Sequence, residues 1–224
     1  MAMDAKKKHE KVAVYLETGI DEYVFIKDTF VYIEHNKKFS ADAPPGLWLT
    51  CASGIVRTRY GVLGIYDDRI KKWKPSPIGW ASPDDGDNLM NAMRRECSEE
   101  IVVFSLDRKL QFVPSGVTAS LSAPSLGIPR IEAVTTVGSF EPKRFFRKGR
   151  VLVLHAEWDL REMPENTTIV SDDEWWQGGF FGAPVVAFAN NGSMTGYYSG
   201  QQGFVDLRTC VIDEDLTEIL NGLT

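Results

Sequence analysis

Glu96, Glu99 and Glu100 stand at positions i, i+3 and i+4. On an α-helix that spacing puts three carboxylates on one face. Like charges so close repel, and the cluster costs stability unless a cation offsets it. Arg95, four residues before Glu99, supplies part of that offset. Gathered oxygen donors suit a hard divalent cation, and Mg2+ usually keeps some water and shares its shell with substrate phosphates. The chemistry such a set would serve is neutralising phosphate oxygens and activating water. Glu-rich helix faces are also common as plain solvated surface, and the spacing is compatible with either.

The helix that must carry these residues is predicted from 87 to about 101. Leu89, Met93, Cys97 and Ile101 recur at four-residue spacing with Ala92 beside them, an apolar stripe expected to face the core opposite the carboxylates. Asp87 falls where an N-cap or first-turn acid belongs. Ahead of it, 75–86 reads as loop, with Pro75, Pro77, Gly79, Pro83, Asp84, Asp85 and Gly86. Residues 48–58, 60–66 and 70–74 upstream, and 110–113, 131–137 and 151–158 downstream, read as strands. Residues 184–189 lean towards a short helix. Asp213 is placed to cap a C-terminal helix with Leu216, Ile219 and Leu220 inside. Short β-prone runs at 12–16, 23–26 and 30–33 suggest a small antiparallel sheet, and the turn at 43–46 divides a β-rich N-terminal extension, 1–45, from a main domain, 46–224. One long helix among many strands predicts an α/β or α+β sandwich.

Arg95-Glu96-Cys97-Ser98-Glu99-Glu100 resembles the Arg-Glu-hydrophobic-x-Glu-Glu core of the Nudix box. That box has an acid eight positions before the Arg, usually preceded by Gly; here these are Asp87 and Gly86. A Pro-Gly-rich loop after a strand leads into it, and 75–79 looks like that loop, so 61–103 resembles the strand–loop–helix unit as a whole. The chain departs from the pattern at three places. Asp87 stands for the family's Glu. The Gly that opens the box falls on Ala81 by strict count, with Gly79 two residues earlier. Val102 replaces the Gly that ends the helix, where a left-handed cap would favour glycine, so the helix exit is expected to differ.

The resemblance implies a mixed β-sheet packed between helices. It also implies Mg2+-dependent (or Mn2+-dependent) hydrolysis of a diphosphate linkage in a nucleoside diphosphate derivative. Candidate substrates are a dinucleotide, ADP-ribose, a nucleotide sugar, a nucleoside triphosphate or, less favoured, a capped or 5′-phosphorylated RNA end. By the same resemblance Glu99 and Glu100 are metal ligands, Glu96 is a ligand or the base, Arg95 orients Glu96, and Asp87 serves a second metal. Some branches of the family take the base from a later loop, and Glu174 is the candidate for that role. The alternative is a nucleotide-binding sensor or sequestering protein on the same scaffold with weak or no hydrolysis, motivated by Ala81, Asp87 and Val102.

Around this core, Trp80 lies in the loop leading to the box and is a candidate to stack on a nucleobase. Residues 143–150 are the most basic stretch. They read first as a hairpin loop with charges in water. They also make Arg144 and Arg147 candidate contacts to substrate phosphates. His9, His35 and His155 show no ligand spacing, and Cys51, Cys97 and Cys210 lie too far apart for a zinc or disulfide pattern. The chain has 224 residues and a net charge of −6, which argues against a protein devoted to binding nucleic acid. Its N-terminus lacks the apolar core of a signal peptide, and no apolar run approaches the ~20 residues of a membrane helix. The expectation is therefore a cytoplasmic protein acting on a nucleotide-derived small molecule, away from membranes; a third hypothesis, compatible with either reading above, has 1–45 recruiting a partner or forming a homodimer.

Overall fold

A computed structural model describes residues 9–34, 44–105, 107–119, 131–171, 185–189, 194–196 and 211–223. β1 (His9–Gly19) and β2 (Glu22–Glu34) form an antiparallel hairpin. The run from 23 to 33, expected as two strands, is one strand with a register break around Asp28, whose φ is 64°. β1 joins β3 (Leu47–Thr58) through Val14–Leu16, so the β-rich N-terminal stretch is built into the main sheet. β3 runs parallel to β11 (Val151–Asp159), and β10 (Glu141–Lys148) pairs antiparallel with β11. On its other side β3 meets β4 (Gly61–Asp67) and β6 (Ile78–Trp80). β4 also pairs with β5 (Lys72–Pro75) and with β13 (Val185–Phe188), which pairs with β14 (Met194–Gly196). A second sheet runs β12 (Thr167–Ser171), β7 (Ile101–Ser105), β8 (Leu110–Val113) and β9 (Ala133–Thr136).

The fold is thus α+β, with mixed but mostly antiparallel sheets and two α-helices among the described residues. Successive residues of a strand point to opposite faces. Val56 of β3 packs with Leu89, Ala92, Met93 and Cys97 of α1 (Leu89–Glu100), while Ile55 packs with Leu216 and Ile219 of α2 (Glu214–Asn221). Each helix therefore covers one face of the ten-stranded sheet. Asp213 caps α2, its carboxylate accepting from the backbone N–H of Asp215 and Leu216 at 2.7 and 3.1 Å. No helix among the described residues is long and apolar enough to cross a membrane.

Three expectations need correction: 75–86, read as loop, contains the strand β6, and two more differ as follows. α1 starts at Leu89 rather than 87, because the Asn88 side chain accepts the Met90 N–H at 3.0 Å and takes the N-cap, leaving Asp87 exposed in the preceding turn. Residues 185–188 form a buried strand, not a helix, where Val-Val-Ala-Phe pairs along β4. The helix exit carries no glycine for a simple reason. Ile101 is already extended (φ −127°, ψ 131°) and opens β7, so Val102 is a strand residue and no left-handed cap forms.

Candidate active site

The carboxylate face of α1 does not point to solvent as a block. Glu96 and Glu100 are 7% and 9% exposed, whereas the Glu99 side chain is 57% exposed. Two acids turn inward because β6 makes room and supplies donors. Gly79 faces α1, and an ideal Cβ there would lie 2.0 Å from the Glu96 carboxyl carbon. Only a residue without a side chain admits Glu96. Glu100 Oε2 accepts from the Ser76 hydroxyl at 3.1 Å and from the Ile78 N–H at 3.0 Å, so this acid ties the helix to the strand that precedes it.

Arg95 is the hub. Its Nη1 donates to Glu96 Oε1 at 2.6 Å and lies 3.6 Å from Glu99 Oε2. Its Nη2 donates to the Trp80 carbonyl at 2.8 Å. Its Nε and Nη2 also donate to the two oxygens of Asp85 at 3.3 and 3.0 Å. Asp85 is buried and sits at the end of a 3₁₀ turn, Pro83–Asp85, where its carboxylate also accepts the Ser82 N–H at 2.7 Å. The Ser82 side chain accepts from Asp84 in return, which closes a capping box and fixes Asp85. A two-point grip of this kind sets the plane of the guanidinium as well as its position.

Sequence reasoning missed Asp85, although its signal was present. Gly79 and Asp85 are separated by the same interval as Ala81 and Asp87, the pair taken by strict count. Set against the Nudix spacing that the sequence resembles, both features would shift together by two positions, with two residues more before the helix. Asp87 itself is not among the partners of Arg95.

Electrostatics follow the packing. Burial pushes the Glu96 carboxyl up to about 7; Arg95 opposes this, while Glu99 and Glu10 add to it. Burial works against the charge of Arg95, but its hydrogen bonds and charge interactions with Asp85 and Glu96 outweigh that and raise its pKa. The hairpin reaches the same place: the Tyr15 hydroxyl donates to the Gly86 carbonyl at 2.8 Å.

Other candidates lie elsewhere. Next to Gly79 on β6, the Trp80 ring points to the opposite face and packs with Val12, Val14 and Leu49, so only its carbonyl joins Arg95. Arg144 is held by α2, donating to the Glu218 carbonyl at 2.7 Å and pairing with the Glu218 carboxylate at 3.0 Å. Arg147 pairs with Glu17 at 2.8 Å and donates to the Tyr23 hydroxyl. Both arginines are matched by acids, and neither is brought to the Arg95 cluster. Glu174 lies outside the described residues.

The donor set suits a hard cation in part. No group of three or more His, Cys, Asp or Glu side chains among the described residues is gathered as a metal-holding set. Mg2+ needs fewer, since one or two carboxylates plus substrate phosphates and water commonly complete its shell. Glu99 is exposed beside Glu96, and both meet the same Arg95 nitrogen. Glu96 Oε2 carries no hydrogen bond among the described residues, whereas Glu100 is already engaged with the β6 strand. Compared with known proteins, the chain matches no family model, no curated protein and no solved structure.

Proposed function

We propose that the chain is a Nudix-type pyrophosphohydrolase that uses Mg2+ or Mn2+ to cleave a diphosphate linkage in a nucleoside diphosphate derivative. The observation that carries this reading is the cluster of Asp85, Arg95, Glu96 and Glu99 over Gly79. It offers a fixed carboxylate, a neutralising guanidinium and an exposed carboxylate within one turn of helix. Glu99 would hold the cation, which supplies charge neutralisation at the phosphates and a more acidic bound water. Glu96 has its Oε1 anchored by Arg95, and its Oε2 is the atom that takes the proton from the attacking water. Arg95 keeps Glu96 aimed and offsets the repulsion between Glu96 and Glu99. Glu100 keeps β6 against the helix, so Gly79 stays opposite Glu96. A second reading, nucleotide binding with little hydrolysis, rests on Glu100 being engaged with Ser76 and Ile78, which leaves Glu99 the only strongly exposed acid of the three.

The test is a panel of dinucleotides, ADP-ribose, nucleotide sugars, nucleoside triphosphates and capped RNA, incubated with MgCl2 or MnCl2, with products resolved by mass. Turnover of at least one member is expected, with a loss of about 10²–10⁴-fold in Glu96→Gln, the usual size of a general-base effect. Absence of turnover on every member with both metals would overturn the hydrolase reading. Melting shifts caused by the same compounds would then support the binding protein.

A further inference from the structure

Two contacts from one strand bracket the turn that carries Asp85. The Ala13 N–H of β1 donates to the Ala81 carbonyl at 2.7 Å, just before the turn. The Tyr15 hydroxyl donates to the Gly86 carbonyl at 2.8 Å, just after it. Gly86 closes the turn with φ 69° and its own N–H on the Pro83 carbonyl. The Tyr15 ring is only 3% exposed; it packs in the core that includes Leu89 and Ala92 of α1 and lies 5.5 Å from the Phe25 ring. The ring therefore has few ways to move, and its hydroxyl is a fixed donor. Inside the bracket Asp85 holds Arg95, and Arg95 holds Glu96.

We propose that Tyr15 is a positioning residue for Glu96: by fastening Gly86 it fixes the Pro83–Asp85 turn, and with it the guanidinium that aims the Glu96 carboxyl. The N-terminal hairpin is then a working part of the site and not an appendage to it. The proposal rests on the reading of Glu96 as a reacting group, but its structural half can be tested without any substrate.

Tyr15→Phe keeps the ring and removes only the donor. In the full-length protein its amide exchange should quicken roughly ten-fold across 82–91, the scale of one lost hydrogen bond, and stay unchanged in β3 and β11. The Glu96 carboxyl 13C resonance should move, because the partner that aims it is released. With the substrate found in the panel, kcat should fall roughly ten-fold while KM stays within about two-fold, since the lost contact touches no substrate. Asp85→Asn should show the same pattern. The double variant should be no slower than Asp85→Asn alone, because both act through one chain of contacts. Unchanged exchange over 82–91, an unmoved Glu96 resonance, or penalties that simply add would overturn the proposal. A parent protein without turnover would remove the hydrolase reading alone, and exchange and resonance would still decide whether Tyr15 positions Glu96.

Discussion

Gly79→Ala is expected to lower turnover by at least about 10²-fold while leaving the protein folded, the scale on which a misplaced catalytic group costs rate. A Cβ at Gly79 would lie 2.0 Å from the Glu96 carboxyl carbon and Oε1, and 2.3 Å from Oε2. The clashing atoms are the far end of a flexible side chain, so the carboxyl yields and the backbone of β6 stays. Glu96 must leave the pocket between Gly79 and Arg95, breaking the 2.6 Å contact that aims it. Circular dichroism and thermal melting would report the fold, and the panel assay would report the rate. Full activity in a folded Gly79→Ala protein would show that Glu96 works from some other position, and would remove the argument for the site.

The second large effect is on stability against pH, measured with a chelator present. Burial raises Glu96 to about 7 from its ordinary 4.5. An acid whose pKa is raised by folding contributes stability that is full below pH 4.5 and is lost as pH climbs through 7. His155 behaves oppositely. It is fully buried on β11, neither ring nitrogen has a hydrogen-bond partner among the described residues, and it stacks on Phe146 at 5.9 Å. Burial, with Arg144 adding to it, lowers His155 to about 4 from 6.5. Its contribution is full above pH 6.5 and is lost as pH falls through 4. Each shift is worth roughly 3 kcal/mol across its window. Between about pH 4.5 and 6.5 the two slopes cancel, so the parent should show little change from this pair. Glu96→Gln should leave stability rising with pH over that range, and His155→Leu should leave it falling. Urea unfolding at half-unit steps would read the three curves. Parallel curves would show that neither side chain is buried as described.

The residues proposed to carry chemistry were legible because they repeat locally. Glu96, Glu99 and Glu100 follow helical spacing, the apolar stripe through Leu89 and Met93 gives the helix, and Asp213 marks the start of α2. What escaped were relations between distant segments. The inward turn of Glu96 depends on a missing side chain at Gly79, on a strand that pairs with β3 rather than with the helix. Asp85 escaped because counting back from Arg95 by the Nudix spacing lands on Asp87, two positions after the acid that the turn buries. The four residues of β13 are too few for periodicity to separate strand from helix, and pairing with β4 decided it. Tyr15 lay unremarked within the β-prone run 12–16; its hydroxyl finds a partner 71 positions away.

The junction between α1 and β7 has a mechanical meaning. Glu100 ends the helix and Ile101 begins the strand, with no linker between them. Helix and strand thus form a single crank with one fixed phase angle, and its strand arm is clamped on both sides by β12 and β8. One residue inserted at this joint would force the helix to turn by about 100° to keep the strand in register. That rotation would swing Glu96 away from Gly79 and Arg95 away from Asp85 in one movement. The second sheet, which contributes none of the groups proposed to react, therefore acts as the mount that sets their timing mark.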